Sequence, residues 1–141
     1  MKKLKFFAAE TEKNRYLSIT SEGISAGFPS PADDFKESKI SIDQEVVKNE
    51  SATFYARVVG QSMQGAGLDD GDLIVIDRSQ EPDDGKIAVC YIDGEFTVKR
   101  LKVENQCVYL MPENKKYKAL KVTEENQLII WGVVTYVVKK V

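Results

Sequence analysis

The chain has 141 residues, with 20 Lys+Arg against 22 Asp+Glu, 43% apolar residues, two cysteines and no histidine. That length accommodates one domain plus a tail with a real core, while a net charge of −2 supplies no global basic field for sequence-specific DNA binding. Without histidine there is no Ser-His-Asp triad, no Cys-His dyad and no imidazole metal site.

The opening Met1–Glu10 is basic, but its apolar stretch is interrupted by Lys5 and ends at Glu10, short of the roughly 7–15 apolar residues of a secretory signal. No run approaches the ~18 apolar residues of a membrane span. A cytoplasmic protein without a membrane segment is therefore expected. Thr20–Asp34 is rich in Ser, Gly, Pro and Ala and has neither helical nor strand period. Pro29 and Pro31 fix φ and favour extended conformations before them, which predicts an exposed, extended tail. Lys39–Ile42 reads as a weak strand and Asp43–Lys48 as a single helical turn.

From Ser51 onward the signals are those of strands. Thr53–Val59, Asp72–Asp77, Lys86–Ile92, Glu95–Val103, Cys107–Met111 and Leu128–Val138 are rich in β-branched and aromatic residues, with Gly, Pro, Asp and Asn clusters between them. Asp93-Gly94 predicts a two-residue hairpin turn and Glu104-Asn105-Gln106 a second short turn. Gly132 predicts a bulge or bend inside the last strand. Closely spaced short strands imply a compact, mainly β barrel or sandwich over residues 51–141. Cys90 and Cys107 lack CxxC spacing and sit in apolar runs, the pattern of buried, reduced thiols. The acidic clusters Asp69–Asp72 and Asp83-Asp84-Gly85 read as turns rather than calcium loops, so no metal or cofactor is expected.

Two features could carry chemistry. Gly60-Gln61-Ser62-Met63-Gln64-Gly65 directly follows a strand, and Lys99 lies in the middle of another, sharing a face with Thr97, Leu101 and Val103. Taken singly, each has an ordinary structural explanation: a turn serine and a solvated strand lysine. Together, in a chain without histidine, they make a Ser-Lys dyad available, because a neutral lysine can serve as the base for a serine hydroxyl. At a reference pKa near 10.4 only about one lysine in 2,500 is neutral at pH 7. Burial among apolar strand residues can lower a lysine by roughly 3–5 units, which is sufficient.

Gly60-Gln61-Ser62-Met63, Asp70-Gly71-Asp72-Leu73 and Phe96-Thr97-Val98-Lys99-Arg100-Leu101 resemble the catalytic core of the LexA/UmuD family of self-cleaving serine peptidases. Ala26-Gly27 resembles that family's self-cleavage site. The likeness runs from about Ile24 to the C-terminus, with the motifs in the same order. It implies a LexA-like β-core, Ser62 as nucleophile, Lys99 as general base and acid, and an oxyanion hole drawn from the backbone N–H groups of Gln61, Ser62 and Met63. It also implies a division into a cleavable tail (1–26), an extended arm (27–50) and a peptidase-like core (51–141). Only 26 residues precede Gly27, too few for a repressor's helix-turn-helix domain. The short tail therefore resembles the UmuD-type branch, whose members assist a UmuC-type Y-family translesion polymerase in the SOS response. That branch commonly has Cys-Gly at the cut, where this chain has Ala26-Gly27.

The resemblance further implies a homodimer, with the long apolar C-terminal strand available to pair across a two-fold. It also implies cleavage promoted by a RecA filament on single-stranded DNA. Two other readings stand beside it. One is a non-catalytic β-module that only binds polymerase or other protein partners. The other is a signal-peptidase-like enzyme, against which the missing membrane anchor argues.

Overall fold

The structure is a computed structural model that describes residues 6–9, 15–20, 26–27 and 37–141. Most of the expected Thr20–Asp34 tail lies outside the described residues. Within it, Thr20 closes a short strand, while Ala26 and Gly27 form an exposed bend.

The strands are β1 (Phe6–Ala8), β2 (Leu17–Thr20), β3 (Glu37–Ile40), β4 (Thr53–Arg57), β5 (Leu73–Asp77), β6 (Ile87–Ile92), β7 (Glu95–Glu104), β8 (Cys107–Met111), β9 (Leu120–Lys121) and β10 (Leu128–Val138), with one short helix, α1 (Ile42–Val46), after β3. Among the described residues one antiparallel sheet runs in the order β1-β4-β5-β10-β6-β7-β8-β9, and β2 pairs with β3 separately. The fold is thus mainly β, with a core on each face of the sheet. Ala56, Val58, Met63, Leu68, Ile74, Ile76, Val89 and Val98 form one cluster. Ala88, Cys90, Ile92, Leu101 and Leu110 form the other. Strand periodicity explains the division: in β6, Val89 points to the first cluster and Ala88, Cys90 and Ile92 to the second.

Both expected hairpin turns are present. Asp93 and Gly94 adopt φ of 48° and 84°, and Asn105 and Gln106 adopt 51° and 62°, the left-handed pairs that match the twist of a two-residue hairpin. Glu104 belongs to β7 rather than to the turn. At Gly132 the pairing of β10 with β6 shifts register between Ile130 and Gly132. A Cβ there would lie 2.5 Å from Ile76 Cγ2 and 3.1 Å from Arg78 Cγ, so close packing against β5 requires glycine.

Other expectations change. The weak strand and helical turn begin earlier than their local sequence implies, because β3 is registered by β2, with Glu37 opposite Thr20 and Ile40 opposite Leu17. Both cysteines are free and Cys90 is buried, but Cys107, at the start of a strand, is only half-buried. The last strand is interior rather than an open edge. β10 pairs with β6 along Leu128–Val133 and with β5 along Val133–Val138. The flanks without a strand partner among the described residues are that of residues 134–138 away from β5 and that of residues 128–132 away from β6. No described helix is long and apolar enough to cross a membrane.

Candidate active site

The loop between β4 and β5 carries Ser62 and is closed at its base. Val58 N–H donates to Asp72 C=O and Gly71 N–H to Val58 C=O, each at 2.8 Å. Gly60, at φ 103°, turns the chain out of the strand, and its N–H donates to Asp70 Oδ1 at 2.7 Å. Asp69 N–H donates to Asp72 Oδ2 at 2.8 Å, and Lys139 donates to the side chains of both Asp69 and Asp72. The acidic cluster therefore braces the serine loop, and Asp84 similarly accepts Val103 N–H at 2.7 Å. Beyond Ser62, Met63 and Leu68 are each 2% exposed and anchor the loop in the first apolar cluster. Ser62 is thus held between a polar brace and an apolar anchor.

Lys99 comes from the middle of β7, directly opposite Ala88 of β6. Its Nζ lies 2.9 Å from Ser62 Oγ, 3.0 Å from Thr97 Oγ1 and 3.2 Å from Val98 O. Burial lowers the lysine's pKa; only a Cys90 thiolate would oppose the shift. Burial also pushes the Cys90 thiol up to about 12, so that sulfur stays protonated beside the amine. The Nζ thus has three oxygen partners, Ser62 Oγ, Thr97 Oγ1 and Val98 O, and a shift toward the neutral amine frees a lone pair that can face the Ser62 hydroxyl.

A second connection joins the serine loop to the lysine strand. Glu113 N–H donates to Ser62 C=O at 2.8 Å, and Gly65 N–H donates to Glu113 C=O at 2.6 Å. Asn114 Nδ2 donates to Gln61 C=O at 2.7 Å. The Glu113 carboxylate accepts Arg100 Nε at 2.5 Å, and Arg100 also donates to Gly85 C=O. Arg100, adjacent to Lys99, therefore fixes the segment that holds Ser62 and Gly65 through the Glu113 backbone and Gln61 through the Asn114 side chain. The N–H groups of Gln61, Ser62 and Met63 donate to no acceptor among the described residues, which leaves them available to an incoming carbonyl oxygen.

The expected site residues are thus brought together only in part. Ser62 and Lys99 meet across 37 residues of sequence, whereas Ala26 and Gly27 are exposed, with no heavy atom beyond their chain neighbours within 4 Å of a Cβ position at Gly27. Sequence reasoning missed Thr97, Arg100, Glu113 and Asn114 as members of the site. Thr97 carried a signal, since it is two residues from Lys99 on the same strand face. Glu113 and Asn114 had none, because their roles arise from a contact about 50 residues away in sequence.

Comparison with known proteins identifies the family of the chain. The Peptidase S24-like family model matches residues 18–135. Relatives include protein SamA of Salmonella typhimurium, 41% identical over 86% of this chain and 84% of its own length. Protein MucA of Escherichia coli is 42% identical over 80% of this chain and 77% of its own. The LexA repressor of Oleidesulfovibrio alaskensis is 37% identical over 77% of this chain, though over only 52% of the repressor. The chain belongs to the S24 peptidase family, in its UmuD-type branch beside LexA.

Proposed function

We propose that this protein is a self-cleaving serine endopeptidase that cuts its own Ala26-Gly27 bond with the pair Ser62 and Lys99. The observation that carries the reading is the 2.9 Å approach of Lys99 Nζ to Ser62 Oγ in a setting that favours the neutral amine. Ser62 Oγ attacks the Ala26 carbonyl carbon while Lys99 takes the hydroxyl proton. The oxyanion that forms is stabilised by N–H groups among Gln61, Ser62 and Met63. Collapse breaks the C–N bond as Lys99 returns the proton to the Gly27 nitrogen, leaving Ala26 esterified to Ser62. Water then hydrolyses the ester with Lys99 again as base.

Ala26 and Gly27 are small enough for a narrow cleft, and the 35-residue separation from Gly27 to Ser62 gives ample reach at about 3.3 Å per extended residue. Because the bond is exposed, cutting requires it to dock first. A RecA filament on single-stranded DNA promotes the docked conformer, which also excludes water from Lys99. The products are a tail of residues 1–26 and residues 27–141. The latter forms a homodimer that assists a UmuC-type Y-family polymerase in the cytoplasm during the SOS response. The flank of β10 at Tyr136–Val138, exposed and opposite β5, is where the two copies pair.

The test is reaction with a small fluorophosphonate, which needs no docked tail. Mass spectrometry should find one adduct on Ser62 in the native chain, and little or none in Lys99→Met. Equal labelling of Lys99→Met, or no labelling of the native chain at any pH up to 10, contradicts the dyad.

A further inference from the structure

The edge of the main sheet is supplied from upstream of the proposed cut. Phe6, Phe7 and Ala8 pair with Ala56, Tyr55 and Phe54 of β4, and Ala9 N–H donates to Thr53 C=O at 3.2 Å. The Phe6 ring lies 5.0 Å from that of Phe96 and 4.6 Å from that of Trp131, centroid to centroid. Phe54 closes on the other flank of Trp131 at 5.2 Å. Phe7 points the opposite way and is 52% exposed, while Ala9 is buried. The segment is therefore read by main-chain pairing and one aromatic socket, the general pattern of strand addition.

We infer that the outer edge of β4 and the socket of Phe54, Phe96 and Trp131 form a strand-docking site. Phe6–Ala9 fills it in the intact chain, and an extended, aromatic-bearing segment of a partner protein fills it after the cut. The vacating step rests on the proposed cleavage at Ala26-Gly27; the docking site itself does not. While tethered, the plug acts at an effective concentration of order millimolar. Once cut, residues 1–26 are held, among the described residues, only by the Phe6 ring and the short β1–β4 and β2–β3 pairings, lose that advantage and dissociate on dilution. β4 is then an uncovered edge without proline, a template for another strand. Residues 27–141 contain Phe-x-Ala only at Phe54-Tyr55-Ala56, within β4 itself. The other aromatics between the cut and β4 are Phe28, followed by Pro29, which cannot donate to the ladder, and Phe35, two residues before Glu37 of β3. Neither reproduces Phe6-Phe7-Ala8, and the occupant comes from another protein.

The test uses the uncut, full-length chain and its single tryptophan, Trp131. Phe6→Ala should shift Trp131 emission to the red and speed amide deuterium exchange at residues 54–56 at least tenfold, while Phe7→Ala changes neither. A synthetic peptide of residues 4–12, added at about 1 mM to match the tether, should restore the emission of Phe6→Ala. The same peptide should leave the native chain unaltered, and a peptide carrying alanine in place of Phe6 should have no effect. Identical emission and exchange in Phe6→Ala and native chain would overturn the proposal, as would equal peptide responses. Concentration-dependent self-association of Phe6→Ala through residues 54–56 would assign the site to a second copy instead, against the proposal. None of these readings depends on cleavage, so a failure of the peptidase reading leaves them intact and separately visible.

Discussion

Gly65 and Glu113 meet backbone to backbone: the Gly65 N–H donates to the Glu113 carbonyl at 2.6 Å, and a Cβ on residue 65 would lie 2.5 Å from that same oxygen. Because the Glu113 N–H simultaneously holds the Ser62 carbonyl, the nucleophile loop is positioned from outside its own strand connection. Gly65→Ala forces these two segments apart. Its Ser62 labelling rate by fluorophosphonate is expected to fall at least tenfold, with a loss of about 1–3 kcal/mol in stability from the overpacked contact. Unchanged labelling would show that the contact does not position Ser62.

Arg100 and Glu113 tie the same segment to the lysine strand through a bond of 2.5 Å between half-exposed groups. Arg100→Gln and Glu113→Gln remove charges of opposite sign, so a purely electrostatic influence on Lys99 would move the pH midpoint of labelling in opposite directions. Positioning predicts instead that both lower the plateau rate severalfold, and that the double variant is no slower than either single one. Additive losses in the double-mutant cycle would contradict this coupling.

Thr97 accepts a hydrogen bond from Lys99 Nζ at 3.0 Å, which orients the amine toward Ser62. Thr97→Val keeps the shape and removes the acceptor, a loss of about 0.5–1.5 kcal/mol for such a bond. That corresponds to a roughly two- to thirteenfold slower reaction at Ser62, with Thr97→Ser retaining most of the native rate. A Thr97→Val rate equal to native would remove Thr97 from the site.

Much of the fold was legible in the sequence because local patterns decide it. The strand runs from Thr53 onward, the Asp93-Gly94 turn and the Gly132 bulge are dictated by side-chain alternation, left-handed φ and close packing. The approach of Ser62 and Lys99 was anticipated for a different reason: without histidine, a strand lysine is a base that a serine could use. What stayed hidden depends on distant partners. Phe6–Ala8 has too few residues to announce a strand and becomes one because β4 offers an edge. The partners of β10 were not legible, because apolar length alone does not say that β5 and β6 pair along its two halves. The Glu113 grip on Ser62 joins residues whose local sequences carry no mark of each other.

Lys99 also links pH to stability. Burial lowers its folded-state pKa, so between that value and the ordinary lysine range the unfolded chain binds more protons than the folded one. Stability from this group therefore rises with pH through that window, by about 1.4 kcal/mol for each unit of depression. In paired urea titrations, the native chain should gain stability relative to Lys99→Met between pH 7 and pH 10. A constant difference across that range would mean that Lys99 titrates as a free lysine.

The most direct test of the central claim is intact-mass measurement of the purified full-length chain held at pH 9.5–10 without any activator. Alkali deprotonates Lys99 without help from a partner, so the native chain should slowly yield a fragment beginning at Gly27, while Ser62→Ala and Lys99→Ala remain whole. Cleavage at Ala26-Gly27 that persists unchanged in both variants would contradict the Ser62–Lys99 mechanism.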